Sequence, residues 1–287
     1  MTTKTLKVYY HLTKPGIIYA NALTAIAGYL FGSAWRVDIS TFLAVVVGTS
    51  LVIAGACVYN NVIDRRIDKQ MLRTRQRALV TGAITPMAGT IYATVLTIVG
   101  FSLLALFTNV TVVVVGVIGI IDYVILYGWT KRHTQISTIV GSISGATSIL
   151  AGYTAAVGHF DSAGALLFLI LTIWQMPHFY AIAMYRKRDY AAAHLPLMPS
   201  KHREAIVKAR ILAYIVALMV VSVLLTTTGF AGVLCMTILL LLSGVWLLTG
   251  VSKYHLESAV WGKQMFLVSL VVNLGISVAI AIGSVTP

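Results

Sequence analysis

Long apolar runs recur down the whole of this chain, at residues 16–35, 41–62, 85–106, 108–129, 137–157, 163–185, 208–228, 229–250 and 264–285. Each is near the roughly 20 residues that a helix needs to cross a hydrocarbon core of about 30 Å. Backbone N–H and C=O groups find no water there, so only helices or closed barrels can span, and runs this long and apolar predict helices. The expected fold class is all-α: a polytopic membrane bundle of about nine transmembrane helices, embedded in a lipid bilayer. Composition agrees, because only 10% of the 287 residues are charged, whereas soluble domains carry about 25%. A basic stretch precedes the first run, as in a signal peptide, yet the run's length and the many runs after it predict a retained first helix. No linker or low-complexity tract interrupts the pattern, so residues 1–287 are read as a single domain.

A formal net charge of +13 would suggest nucleic acid in a soluble protein, so the placement of the charge decides. With the spans above, 20 of the 21 basic residues fall on one side: the N-terminus and the loops after spans two, four, six and eight. Arg36 alone falls on the other. The positive-inside rule then predicts a prokaryotic cytoplasmic (inner) membrane protein with a cytoplasmic N-terminus, an external C-terminus and no nucleic-acid partner. Cys57 and Cys235 sit within apolar runs and read as small packing residues, with no disulfide or zinc spacing.

The loop after the second span reads "NNVIDRRIDKQMLRTRQR". Asn60, Asp64 and Asp68 are four apart, so on a continuing helix they form one stripe stepping about 6 Å per turn. Oxygen donors of this kind suit Mg²⁺, which takes one or two carboxylates and completes its shell with water and phosphate oxygens. Arg73 and Arg77, again four apart, could clamp phosphate together with Lys131, Arg132 and Arg188, although such arginines also serve the positive-inside rule. Asp189 is the one carboxylate in "MYRKRDYAAAHLPLMP" and could hold a second metal. His178, in "WQMPHF", is the one histidine well inside a run, where a functional group and a satisfied structural histidine are equally open readings. His133 and His194 are weaker candidates at the inner face. Pro177 predicts a kink or local opening of the sixth helix.

The N-x-x-x-D-x-x-x-D pattern of Asn60, Asp64 and Asp68 matches the signature of the UbiA-type intramembrane prenyltransferase superfamily. "LTKPGIIYAN", "DRRIDKQMLRTRQRALVTGAITP", "WTKRHTQISTIVGSISGA" and "WQMPHFYAIAMYRKRDYAAAHLPLMP" resemble its heme O synthase branch over most of the chain. The resemblance implies a transferase that moves the farnesyl group of farnesyl diphosphate to the 2-vinyl group of heme b with addition of water, giving heme O and diphosphate. It implies Mg²⁺ held by Asn60, Asp64, Asp68 and Asp189, with Asp64, Asp68 and Asp189 catalytic, diphosphate on Arg73, Arg77, Lys131, Arg132 and Arg188, and His178 as heme-binding candidate. A heme A synthase or terminal oxidase would be the downstream partner. Tyr59, Tyr123, Tyr127, Trp174 and Tyr180 are candidate cavity aromatics that could stabilise an allylic cation.

Two features depart from that branch. Thr147 and Ser148 stand where a proline pair is common, which predicts a straighter fifth helix, and Asp122 inside the fourth run has no counterpart. Prenyl transfer to a quinone precursor is the nearest alternative. A transporter or heme carrier is a more distant one, because transport does not require two separated acidic positions.

Overall fold

The computed structural model describes residues 3–193, 195–196 and 203–284. His194, Lys201 and the end of the "HLPLMP" stretch lie outside these described residues. Among the described residues nine helices are long and apolar enough to cross a membrane, as the apolar runs predict. In chain order the helices are α1 (Thr3–Leu12), α2 (Pro15–Ser33), α3 (Ile39–Asp68), α4 (Ala78–Thr81), α5 (Pro86–Phe107) and α6 (Val110–His133). They continue with α7 (Ser137–Val157), α8 (Ser162–Tyr185), α9 (Lys187–Ala192), α10 (Glu204–Thr227), α11 (Val233–Ser252) and α12 (Ser258–Ile282).

The largest difference from the apolar runs is in α3. Its apolar run ends at 62, yet the helix extends to Asp68, giving 30 residues, or about 45 Å at 1.5 Å per residue. Asp38 starts it, its side chain accepting the Thr41 N–H at 2.8 Å, and Arg65 and Arg66 in the last turn offset the negative end of the helix dipole. That extension puts Asn60, Asp64 and Asp68 on one helical face.

Pro177 lies inside α8, which runs as one helix from Ser162 to Tyr185. α6 carries an irregular turn, where Asp122–Leu126 is π-helical and the Tyr127 N–H reaches Asp122 O. Such single turns insert a residue into the helix and shift which side chains share a face. Tyr123 within it and Tyr127 and Lys131 beyond it all line the central cavity. α7 is continuous through Thr147 and Ser148.

In lipid, helix association relies on close approach rather than on a hydrophobic drive. α2 and α7 meet through glycines: a Cβ on Gly28 would lie 2.1 Å from Ile149 O, and one on Gly152 would lie 2.0 Å from Ala25 O. α3 and α5 approach the same way, with a Gly100 Cβ 2.8 Å from Gly48 O. α8, α10, α11 and α12 share a core that includes Leu167, Ile211, Ile215, Trp246 and Trp261. The two indoles are satisfied by Met265 O and Gly250 O.

Candidate active site

A cavity of about 620 Å³ runs between α2, α3, α6, α7, α8 and α12. Its inner end is charged and its deeper walls are largely apolar. Asn60, Asp64 and Asp68 line that inner end and are buried despite their polarity. Each is met by a cation from elsewhere in the chain. Lys14 Nζ donates to Asn60 Oδ1 at 2.9 Å. Lys131 Nζ donates to Asp64 Oδ2, and Arg132 Nη2 reaches Asp64 Oδ1 at 3.0 Å. Arg77 Nη1 donates to Asp68 Oδ2 at 2.6 Å and to Asn61 Oδ1 at 3.1 Å. Buried carboxylates are tolerated only when paired in this way.

Lys14 and Asn61 are the residues that sequence reasoning passed over. Lys14 looks like one more topology charge, and Asn61 lies off the aspartate stripe. Lys14 is the residue before Pro15 and has φ 56°, a left-handed backbone costing a non-glycine residue roughly 1–2 kcal/mol. Strain of this kind persists where the surroundings hold it, often at functional sites. Removal from water pushes the Lys14 ammonium down to about 8. Asn61 donates to Leu12 O at 2.8 Å while accepting from Arg77, so it ties the end of α1 to the arginine. The useful signal is the position of Lys14 at the inner end of the first span, beside the end that carries the aspartates.

Other candidates separate into two groups. Arg73, Arg77 and Lys131 line the cavity. Arg132 reaches Asp64 from outside the lining, and Arg188 is exposed and away from it. Asp189 is half-buried and not in the cavity wall, although its neighbour Tyr190 is. The reason is local: α8 caps at Arg186 and the chain turns into the separate short helix α9, so Asp189 does not continue the face of α8. Among the described residues no group of three or more His, Cys, Asp or Glu converges as a metal cluster. Any metal held here would therefore rely on Asn60 and phosphate or water oxygens beside the two aspartates.

Of the aromatics, Tyr123, Tyr127 and Trp174 line the cavity, with Tyr123 and Tyr127 stacked at 5.7 Å and Lys131 Nζ 5.3 Å from the Tyr127 ring centre. Tyr59 instead bonds Thr94 on the far side of α3, and Tyr180 packs on Tyr214. Asp122 is buried outside the cavity wall. Among the described residues it has no basic partner, and its Oδ2 accepts the Ser144 N–H at 3.1 Å. Deeper in the cavity, His178 stacks on Trp174 at 4.8 Å and bonds Ser269 Oγ through Nδ1 at 2.6 Å. His133 bonds Trp129 O and lies outside the cavity wall.

The UbiA prenyltransferase family model matches residues 21–271, which take in the whole of α3, α6, α7 and α8 and part of α2 and α12. This chain belongs to the UbiA prenyltransferase family. It is 40% identical over 279 residues to a protein of Serratia proteamaculans (strain 568) named protoheme IX farnesyltransferase, covering 96% of this chain and 94% of that one. A protein of the same name from Klebsiella pneumoniae is 40% identical over 283 residues, covering 98% and 96%. The UbiA fold is also found in a digeranylgeranylglyceryl phosphate synthase, with TM-score 0.79, 19% identity and coverage of 98% and 99%. A UbiA homolog from Archaeoglobus fulgidus bound to GPP and Mg²⁺ superposes with TM-score 0.76 at 13% identity, covering 95% and 99%. Like these relatives, this UbiA-family chain is a multi-pass membrane protein.

Proposed function

We propose that this UbiA-family enzyme transfers the farnesyl group of farnesyl diphosphate to the 2-vinyl group of heme b, with addition of water, giving heme O and diphosphate. The observation that carries the prenyl-transfer reading is the meeting of Asn60, Asp64 and Asp68 with Lys14, Lys131, Arg132 and Arg77 at the mouth of a largely apolar cavity. The acceptor rests on the 40% identity to the Serratia and Klebsiella proteins and their printed name.

Ionisation of the allylic C–O bond moves negative charge onto the departing diphosphate. Lys14, Arg73, Arg77 and Lys131 are already aimed at that end of the cavity, and donors fixed before reaction cost no reorganisation during it. Arg132 and Arg188 complete the proposed diphosphate set from the rim. Asn60, Asp64 and Asp68 fit Mg²⁺, since they are hard oxygen donors on one face. Asp189, beside the cavity-lining Tyr190, is proposed as the second acidic group. Bound Mg²⁺ would supply further neutralisation of the leaving group.

The apolar walls keep water from the allylic cation, and the faces of Tyr123, Tyr127 and Trp174 attract it. The terminal vinyl carbon bonds to C1 of the farnesyl cation. Positive charge then rests on the carbon next to the porphyrin ring, where water adds and loses a proton. The mouth faces the cytoplasm of a prokaryotic inner membrane in this reading, and the product passes to a heme A synthase or terminal oxidase.

Incubation of the purified protein with heme b, farnesyl diphosphate and Mg²⁺, followed by mass analysis of extracted heme, tests this. A gain equal to farnesyl plus water is expected, lost on chelation of divalent metal and restored by Mg²⁺. Asp64→Ala should lower turnover by at least about 100-fold while the protein still elutes as a folded species. No mass gain with wild type would redirect the acceptor to a quinone precursor.

A further inference from the structure

The deep wall of the cavity holds a histidine whose two ring nitrogens have different surroundings. His178 Nδ1 lies 2.6 Å from Ser269 Oγ. The single hydroxyl hydrogen of Ser269 is already spent, because Oγ donates to Phe266 O at 2.5 Å. A serine hydroxyl has one hydrogen and two lone pairs, so Oγ can only accept from His178, and Nδ1 must carry the proton. In the neutral imidazole Nε2 is then the bare nitrogen. His178 lines the cavity, and among the described lining residues it is the one histidine.

The surrounding groups hold the ring in that pose. Trp174, one turn earlier on α8, stacks on the imidazole with planes 25° apart, and Phe266 of α12 lies 5.4 Å from it. The Trp174 indole N–H is itself anchored on Ser269 O at 3.2 Å. One turn past Ser269 on the same helix, Asn273 also lines the cavity, and its Oδ1 is buried with no partner. A buried polar atom left unpaired on a cavity wall points to a ligand that satisfies it. A histidine that binds metal through one nitrogen almost always donates the other N–H to an oxygen, which fixes tautomer and ring orientation. That is the arrangement of His178 and Ser269.

We propose that Ser269 is a positioning residue for the acceptor: it holds His178 as the Nδ1–H tautomer and so presents Nε2 to the cavity as the axial ligand of an iron tetrapyrrole. This rests on the farnesyl-to-heme reading and adds to it that the acceptor is gripped by its iron.

The test is titration of the purified full-length protein with hemin, and separately with metal-free protoporphyrin IX, read by absorption and electron paramagnetic resonance. Wild type should show a nitrogen-ligated ferric spectrum. His178→Ala should abolish that spectrum and weaken hemin binding about 10–100-fold, and free imidazole should restore the spectrum. Ser269→Ala should keep the histidine yet shift the spectrum and weaken hemin about 10-fold, with Ser269→Thr restoring both. Metal-free protoporphyrin IX should bind all four proteins alike. Equal weakening of the metal-free porphyrin would make the role one of packing and overturn the proposal. Heme O formation with a wild-type spectrum in both alanine variants would overturn the iron contact and leave the farnesyl-transfer reading standing. Failure of wild type both to bind hemin and to form heme O would remove that reading and the proposal with it.

Discussion

Two carboxylates, Asp64 and Asp68, share the cavity mouth with four cations, Lys14, Arg77, Lys131 and Arg132. The balance is positive, which favours an anionic ligand over a bare cation and raises its local concentration. Arg77 binds both Asp68 and Asn61 through the one nitrogen Nη1, so the other arm of its guanidinium fork can be turned to a phosphate oxygen at the same time. Arg77→Lys should therefore raise KM for farnesyl diphosphate about 10-fold, because an ammonium on a flexible stem does not reproduce a planar fork. Steady-state kinetics at fixed heme check it, and an unchanged KM would remove Arg77 from the diphosphate set. The i, i+4, i+8 stripe was legible because helix periodicity is a property of neighbouring residues. Asn61 was not, since its role appears only when the chain after α3 folds back to bring Arg77 beside it.

At the scale of elements, the site depends on α3 staying helical past its apolar run and on α2 lying close against α7. Gly152→Val would place branched carbons where Ala25 O already lies 2.0 Å from the first of them. Overpacking of this kind typically costs about 1–3 kcal/mol, so a lowered Tm in detergent is expected, with loss of activity as the cavity wall shifts. Asp38 caps the outer end of α3. Hydrogen bonds from Ser40 and then from the Thr41 N–H hold its carboxyl below the usual range. A depressed folded value means the cap contributes at neutral pH, and its contribution is lost as pH falls through that value. Amide exchange in the first turn of α3 should speed up on acidification and in Asp38→Ala at all pH. Asp38→Asn, which still caps, should show no acid-dependent change. Proline and glycine guided the element predictions unevenly. Pro177 sits inside an unbroken helix because neighbouring helices hold α8, while the π turn at Asp122–Leu126 has no composition that announces it.

For the whole molecule, the proposed orientation rests on where the cations gather. Phe160, exposed in the loop between α7 and α8, and Arg75, exposed between α3 and α4, lie after odd and even numbers of spans. Phe160→Cys should react with a membrane-impermeant maleimide in intact cells, and Arg75→Cys only after the inner face is opened. Cys57 and Cys235 are both buried and should stay silent. The reverse pattern would invert the proposed topology and turn the cavity mouth outward.

Much of this molecule was decided by sequence alone. Nine spans follow from the energetic demand that a backbone in lipid satisfy itself, the proposed sidedness from where lysine and arginine lie, and the oxygen stripe from the 3.6-residue turn. These are local or compositional properties, and any chain with this order of residues carries them. Which cation meets which oxygen is different. Lys14 is 46 residues from Asn60 and Lys131 is 67 from Asp64, and Ser269 is 91 from His178. Those pairings exist only because particular helices become neighbours, and only packing in three dimensions selects them.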